Sequence, residues 1–342
     1  MPELGLLLLP DRPVRDLVVE ARHAEALGFG TVWVADEKFY RDPWVVLSAT
    51  ALATSRIRLG TGVTEPYARH PALIAAAMAT LEELAPGRIV VGLGAGGPGF
   101  PPMAVHRRRP AVALPEAVEI LRGLFRGERV YQEGRVLSFL GGALNFPPAR
   151  PLPIYVAARG ERVMEAAASC ADAVIVAPFA SPEAVTLAAG VVRGAAERSG
   201  VPPPKIVARV DVSIAESAQA AREAVRHFVA LPLWVSYPNL SYAERLGVEL
   251  PQELVRCLAR REYDEIDAAA AMLPGAMFDH FAIAGRRSDV KRRLASLLPI
   301  VDEVIVHPVP AGGASREELA TQIAEVWSEV RADRETEKRG SV

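Results

Sequence analysis

RIRLGTGVTEPYARHPALIAAAMATLEELAPGRIVVGLGAGGPG, from Arg56 to Gly99, contains two strand-to-helix units whose strands both stop at glycine-rich turns. Residues 57–59 and 89–91 are short apolar runs suited to parallel strands buried on both faces, and residues 71–84 between them carry an alanine-rich helical pattern. In folds built this way, ligands bind where the strands end.

Working outward, the same alternation recurs. Residues 4–9 form an apolar run, and Asp11 then precedes a helical pattern through Leu17, Val18, Ala21, Ala24 and Leu27 that Gly28 and Gly30 close. Residues 31–35 are a second strand, and Asp42 followed by Pro43 starts a helix reaching about Thr54. Beyond Gly99, residues 115–125 resume as a helix and residues 127–150 read as an inserted hairpin or loop. Residues 154–157 predict a fifth strand with a helix over 161–171, and residues 173–177 a sixth with its helix from Ser181 and Pro182. Residues 206–212 predict a seventh, followed by a helix to about Val229. Residues 231–280 break the rhythm with prolines, aromatics and two short helical patterns, an insertion above the strand ends. Residues 281–284 lead through Gly285 into a helix from Ser288, and residues 304–306 are the eighth strand before a last helix from Arg316. Eight strands alternating with eight helices predict an α/β chain folded as a closed (β/α)8 TIM barrel, a single domain over 1–342 with insertions at its C-terminal face. An open doubly wound sheet is the competing arrangement.

The composition narrows the class. At 342 residues, 50% hydrophobic and 23% charged, the chain buries a large core, and a net charge of −2 offers no broad basic field for nucleic acid. Cys170 and Cys257 stand far apart without CxxC spacing, which argues against a disulfide framework and a thiolate metal site. The opening MPELGLLLLPD lacks a basic n-region, and no apolar run approaches the roughly 18 residues of a membrane span. The chain is expected to be cytoplasmic, with no metal, nucleic-acid or membrane partner.

The strand ends then define the candidate residues: Asp36 and Glu37; Thr61, Gly62, Val63 and Thr64; Gly94, Ala95, Gly96 and Gly97; Ala158, Arg159, Gly160 and Glu161; Ala177 and Phe179; and Asp211 and His307. Asp36 and Glu37 can act as acid or base at the barrel mouth, or else cap a helix. Gly92, Gly94 and Gly97 satisfy GxGxxG after a strand, but Pro98, Gly99, Pro101 and Pro102 follow, so no helix opens there and the dinucleotide reading fails. These glycines instead let backbone approach a ligand or a neighbouring strand. Gly160 stands where a strand turns into a helix, so free N–H groups there can hold a phosphate, with Arg159 or Arg162 supplying charge; the alternative is a tight turn with solvated arginines. His70 reads as a helix-start residue. The run His106, Arg107, Arg108, Arg109 is a solvated face or a grip for an anionic tail at the rim. HExxH, P-loop and GxSxG motifs are absent.

The combination of residues 54–84, TSRIRLGTGVTEPYARHPALIAAAMATLEEL, with GRIVVGLGAGG at 87–97 and WVADEKFYRDPWV at 33–45 resembles the luciferase-like family of flavin and deazaflavin oxidoreductases. Within it the likeness is to the coenzyme F420 branch typified by methylenetetrahydromethanopterin reductase. PIYVAARGERVMEAAASCADAVIV at 153–176 and FAIAGRRSDVKRRLASLLPIVDEVIVHP at 281–308 extend the likeness along nearly the whole chain. The resemblance implies a deazaflavin ring at the C-terminal mouth, a cis peptide between Gly62 and Val63 bulging against it, Asp36 near the reacting edge, Gly94 to Gly97 beside the ring and Ala158 to Glu161 at the ribityl phosphate. Glu65 stands where similar sequences often carry Asn or Asp. The implied activity is hydride transfer between F420 and an organic small molecule, with Asp36 or Glu37 assisting proton transfer, in a homodimer or homotetramer. The alternatives are an FMN-dependent two-component monooxygenase fed by a separate flavin reductase, and a barrel that binds a ligand without turnover.

Overall fold

A computed structural model describes residues 1–340 of the chain. The first half reads β1 (Glu3–Leu8), α1 (Val14–Ala26), β2 (Thr31–Val34), α2 (Pro43–Ala53), β3 (Arg58–Thr61), α3 (Pro71–Leu84), β4 (Ile89–Leu93), α4 (Pro110–Phe125), β5 (Val130–Glu133), β6 (Ser138–Gly142), β7 (Ile154–Ala158) and α5 (Glu161–Ala168). The second half reads β8 (Ala173–Val176), α6 (Pro182–Arg198), β9 (Lys205–Ile214), α7 (Ala218–Ser236), α8 (Ser241–Glu244), α9 (Gln252–Arg260), α10 (Ile266–Ala271), α11 (Gly275–Phe281), β10 (Ala282–Gly285), α12 (Arg287–Leu297), β11 (Glu303–Pro308) and α13 (Arg316–Gly340). Strands pair in the order β10-β9-β11-β1-β2-β3-β4-β7-β8, with β8 also on β9, so eight parallel strands close into a (β/α)8 barrel. β5 and β6 form a separate antiparallel hairpin within the 127–150 insertion.

Helix starts follow local chemistry. Asp42 accepts from the amides of Trp44 and Val45 with Pro43 in the first turn, and His70 Nδ1 accepts from the Ala72 amide, so both cap their helices. Boundaries moved where tertiary contacts outweigh local signals. α4 begins at Pro110 and keeps Pro115 inside it, because its apolar face, Ala113, Leu114, Ala117, Val118 and Leu121, is fully buried and outweighs one lost backbone bond. β3, β4, β9 and β11 each run further than their apolar cores, taking in Thr61, Gly92, Ser213 and His307 as strand residues. The 231–280 segment holds four short helices, α8 to α11, rather than two, and residues 282–285 add the strand β10 on β9.

The residues group into two compact units, one of Leu7–Ile175 with Gly190–Ile206, the other of Met1–Leu6, Val176–Ala189 and the chain from Val207 on. In the first, β2, β3, β4 and β7 pair in parallel with Trp33 opposite Gly60 and Gly92 opposite Tyr155. Trp33 is fully buried and its ring lies 5.4 Å from that of Tyr155; a Cβ on Gly60 would fall 2.6 Å from Trp33 Cε3, so only glycine fits under the indole. The start of β3 is held by Glu25, whose Oε1 accepts the amides of Ser55, Arg56 and Ile57 at 2.6 to 2.9 Å. In the second unit, β11 pairs with β9 and with the start of β1, and Val210, Val304 and Val306 are fully buried among them.

Candidate active site

The ends of β2, β3 and β4 sit side by side because these strands are hydrogen-bonded neighbours in parallel register. Thr61, the last residue of β3, turns its hydroxyl to Gly92 on β4, donating to the carbonyl at 2.7 Å and accepting from the amide at 3.0 Å. The turn after it continues the pairing: Gly62 N–H donates to Val34 O at 2.7 Å, Thr64 N–H to Gly92 O at 3.0 Å, and Gly94 N–H to Thr64 O at 2.7 Å. The Gly62–Val63 peptide is cis. Glycine is required along this seam. A Cβ on Gly62 would lie 2.7 Å from Leu7 Cδ1, one on Gly92 1.9 Å from Thr61 O, and one on Gly94 2.5 Å from Val63 Cγ2.

Four polar side chains meet at this edge. Thr64 Oγ1 donates to Asp36 Oδ2 at 2.6 Å, and Lys38 Nζ lies 2.9 Å from Asp36 Oδ1 and 3.1 Å from Glu65 Oε1. The other Glu65 oxygen accepts the amides of Tyr67 and Ala68 at 2.7 and 2.9 Å. Glu65 and Thr64 are buried, while the Asp36 and Lys38 side chains are 9% and 16% exposed, so one edge of the cluster reaches solvent. Burial alone would depress the Lys38 ammonium, but Asp36 and Glu65 outweigh it and raise its pKa above the ordinary lysine value. Beside it Tyr67 is pushed up to about 12 by burial, and its ring packs edge-on against Phe100 at 6.0 Å. Burial lowers the pKa of the neighbouring Arg107, against the attraction of Tyr67. Arg107 nonetheless keeps an exposed surface, as do His106, Arg108 and Arg109, in keeping with a solvated run.

Chemically, the cluster is two carboxylates held by one ammonium, with one carboxylate also gripped by a hydroxyl. It can fix a polar ligand edge and pass a proton at Asp36. The loop after β4 is built for close approach: Gly96 has φ of 80°, with Phe100 lying where its side chain would be, and a Cβ on Gly97 would meet only Glu37 Oε2, at 3.9 Å. On β7, Ala158 is the last strand residue and Gly160 is the N-cap of the eight-residue α5 without a side-chain cap hydrogen bond, a helix start whose dipole favours an anion. Glu161 stands in the same first turn and opposes one.

The structure thus brings Asp36, Thr61, Gly62, Val63, Thr64 and Gly94 together. Glu37 and Gly97 lie beside them, and Ala158, Arg159, Gly160 and Glu161 stand at the end of β7 in the same unit. Ala177 and Phe179 belong to the other unit, where the Ala177–Pro178 peptide is cis and the buried Phe179 ring packs 5.9 Å from Phe281 and 6.2 Å from Tyr242. Asp211 and His307 pair there, Oδ1 to Nδ1 at 2.8 Å, both buried. Lys38 escaped the sequence reading, although its spacing of two from Asp36 was a usable signal. Among the described residues no group of His, Cys, Asp and Glu is placed to hold a metal ion, and no helix is long and apolar enough to cross a membrane.

Comparison with known proteins gives the family and the fold. The 5,10-methylenetetrahydromethanopterin reductase of Methanolobus tindarius is 30% identical over 313 residues, covering 90% of this chain and 94% of that protein. The F420-dependent glucose-6-phosphate dehydrogenase of Beutenbergia cavernae is 32% identical over 262 residues, covering 71% and 75%. Among solved structures, the coenzyme F420 dependent tetrahydromethanopterin reductase of Methanopyrus kandleri superposes with a TM-score of 0.81 over 95% of this chain and 97% of that one, at 24% identity, a likeness of fold. The family model described as luciferase-like monooxygenase matches residues 3–298, and the chain therefore belongs to the luciferase-like monooxygenase family.

Proposed function

We propose that the chain is a coenzyme F420-dependent oxidoreductase that moves a hydride between the deazaflavin and an organic small molecule. The observation that carries this is the Asp36–Thr64–Lys38–Glu65 cluster beside a glycine seam, in a chain whose relatives at 30% and 32% identity are named as a reductase acting on methylenetetrahydromethanopterin and an F420-dependent dehydrogenase. The residues fit such a coenzyme. Gly94, Gly96 and Gly97 carry no side chains and leave the turn after β4 low enough for a flat ring, and the start of α5 at Gly160, with Arg159 and Arg162 beside it, suits a phosphate.

The coenzyme, when bound, supplies the hydride-carrying ring carbon. Asp36 holds or releases the proton that accompanies transfer at its Oδ2, where Thr64 fixes the carboxylate's orientation. Lys38 holds Asp36 Oδ1 until a ligand competes for it, and Glu65, itself fixed by two backbone amides of the following turn, holds Lys38 in place. Glu37 lines the approach to Gly97.

We place the enzyme in the cytoplasm as one luciferase-like domain, consistent with two unpaired cysteines. We assign it a homo-oligomeric state on the exposed apolar side chains of α2 and α3, Val45, Leu52 and Leu73, at 57%, 74% and 60% exposure.

The deciding experiment titrates the apoprotein separately with F420 and FMN, following fluorescence quenching and oxygen uptake. Saturable F420 binding in the micromolar range, with substrate-dependent bleaching and no oxygen uptake, is expected. Tight FMN binding with oxygen consumption overturns the assignment in favour of a monooxygenase served by a flavin reductase, and absence of affinity for either leaves a binding barrel.

A further inference from the structure

Within the unit that holds β9, β11 and α7, His307 and Asp211 are register partners on adjacent parallel strands, so their side chains rise from the same face. His307 Nδ1 lies 2.8 Å from Asp211 Oδ1, while Arg209 holds Oδ2 at 2.7 Å. An ionised carboxylate only accepts, so Nδ1 carries the proton, and a neutral ring presents a bare acceptor at Nε2. Burial lowers the His307 pKa, against the pull of Asp211, and Arg209 and Arg316 add to the lowering; the ring is neutral at pH 7.

His307 Nε2 is buried and meets no hydrogen-bond partner, and the same holds for Ser213 Oγ. Ser213 lies two residues beyond Asp211 on β9, hence on the same face. Strand geometry sets its Cα about 8 Å from that of His307, near enough for one small group to touch both side chains. Phe228 of α7 stands edge-on to the imidazole at 4.8 Å and gives the spot one apolar wall. Buried polar atoms without partners are few in folded proteins. Here two occur on one face with matching roles, a bare acceptor and a hydroxyl that donates.

We propose that Ser213 and His307 form a hydroxyl-binding subsite for a small alcohol, whose O–H donates to His307 Nε2 and whose oxygen accepts from Ser213 Oγ. Asp211 and Arg209 are positioning residues that fix the tautomer and the ring. No bond is made or broken at the subsite, and its occupation is independent of which redox coenzyme the enzyme takes. An ordered water has the same hydrogen-bonding chemistry, so the experiment separates the two sources.

Full-length protein labelled with ¹⁵N-histidine is titrated at pH 7.5 with 2-propanol and with glycerol, and with acetone as a probe that lacks the O–H. The Nε2 resonance is expected to shift saturably with one of the alcohols and not with acetone. Ser213→Ala is expected to weaken that alcohol's affinity at least about tenfold, as loss of a paired hydrogen bond predicts, and Ser213→Thr to retain it. Far-UV circular dichroism checks that both variants fold. The proposal is overturned if Nε2 responds to no alcohol, if acetone shifts it equally, or if a water cross-peak at the His307 ring persists unchanged through the titration, showing water alone. Because no coenzyme is present, these outcomes stand apart from success or failure of the F420 assignment.

Discussion

Thr64 donates from Oγ1 to Asp36 Oδ2 at 2.6 Å, tying the turn after β3 to the end of β2 across 28 residues of sequence. A hydrogen bond to a charged acceptor contributes about 1.5 to 3 kcal/mol. Thr64→Val, which keeps the shape and removes the hydroxyl, is expected to cost about 2 kcal/mol in urea unfolding and to weaken F420 binding. Thr64→Ser should retain most of both. Equal loss in the two variants would show that the methyl group rather than the hydroxyl matters.

Lys38 sits between Asp36 and Glu65, and Lys38→Met leaves two neighbouring carboxylates with no cation. Removing one partner of a buried pair costs about 3 kcal/mol, and the partial exposure of Lys38 puts this case at or below that figure. The pH dependence has a definite sign. Because the folded-state pKa of Lys38 is raised, its contribution is complete below the unfolded value near 10.4 and is lost as pH rises through the folded value. Stability measured from pH 8 to 12 should fall at the alkaline end more steeply in the wild type than in Lys38→Met.

Glycines of the seam divide by what their missing side chains would meet. A Cβ on Gly92 falls 1.9 Å from Thr61 O, a backbone atom that cannot swing aside, whereas one on Gly97 finds its nearest neighbour at 3.9 Å. Gly92→Ala is expected to cost about 3 kcal/mol or more, and Gly97→Ala under about 1 kcal/mol. Thermal melts of the two variants compared with wild type check this directly. Gly97→Ala should nevertheless weaken coenzyme binding if that loop faces the ring.

Acid sensitivity is expected from the Asp211–His307 pair. The folded-state pKa of His307 is lowered chiefly by burial, so the unfolded chain binds a proton that the folded chain refuses. Stability from this residue is complete above about pH 6.5 and is lost as pH falls below it, at up to about 1.4 kcal/mol per pH unit. Asp211, lowered by Arg209 and His307 against the effect of its burial, adds a second loss further down, below about pH 4. His307→Gln should flatten the dependence between pH 5 and 6.5 in urea midpoints, while leaving the steeper loss at lower pH.

Leu52 on α2 is 74% exposed and Leu73 on α3 is 60% exposed. If these faces join copies of the chain, Leu52→Lys with Leu73→Lys shifts sedimentation toward a smaller species without changing the circular dichroism spectrum. An unchanged sedimentation coefficient would show that another face forms the assembly.

The sequence by itself determined the barrel and named the rim residues that are candidates for its chemistry. Eight short apolar runs, each followed by a capped or proline-started helix, leave few ways to bury strands hydrophobic on both faces, and local signals such as Asp42–Pro43 and His70–Pro71 act within one turn of chain. Strand ends followed from the same pattern, so Asp36 and the turn from Thr61 to Thr64 were readable as candidate residues at one rim. What only the tertiary structure decided depends on residues far apart in the chain. Pro115 lies within α4 because a buried face outweighed one lost hydrogen bond. Lys38 and Glu65 became partners because the turns after β2 and β3 come within reach of each other, and Gly92 is glycine because the Thr61 carbonyl occupies the place of its side chain. Phe179 fills an aromatic cluster, and Ser213 and His307 share a face because β9 and β11 pair in one register, which apolar patterning alone cannot fix.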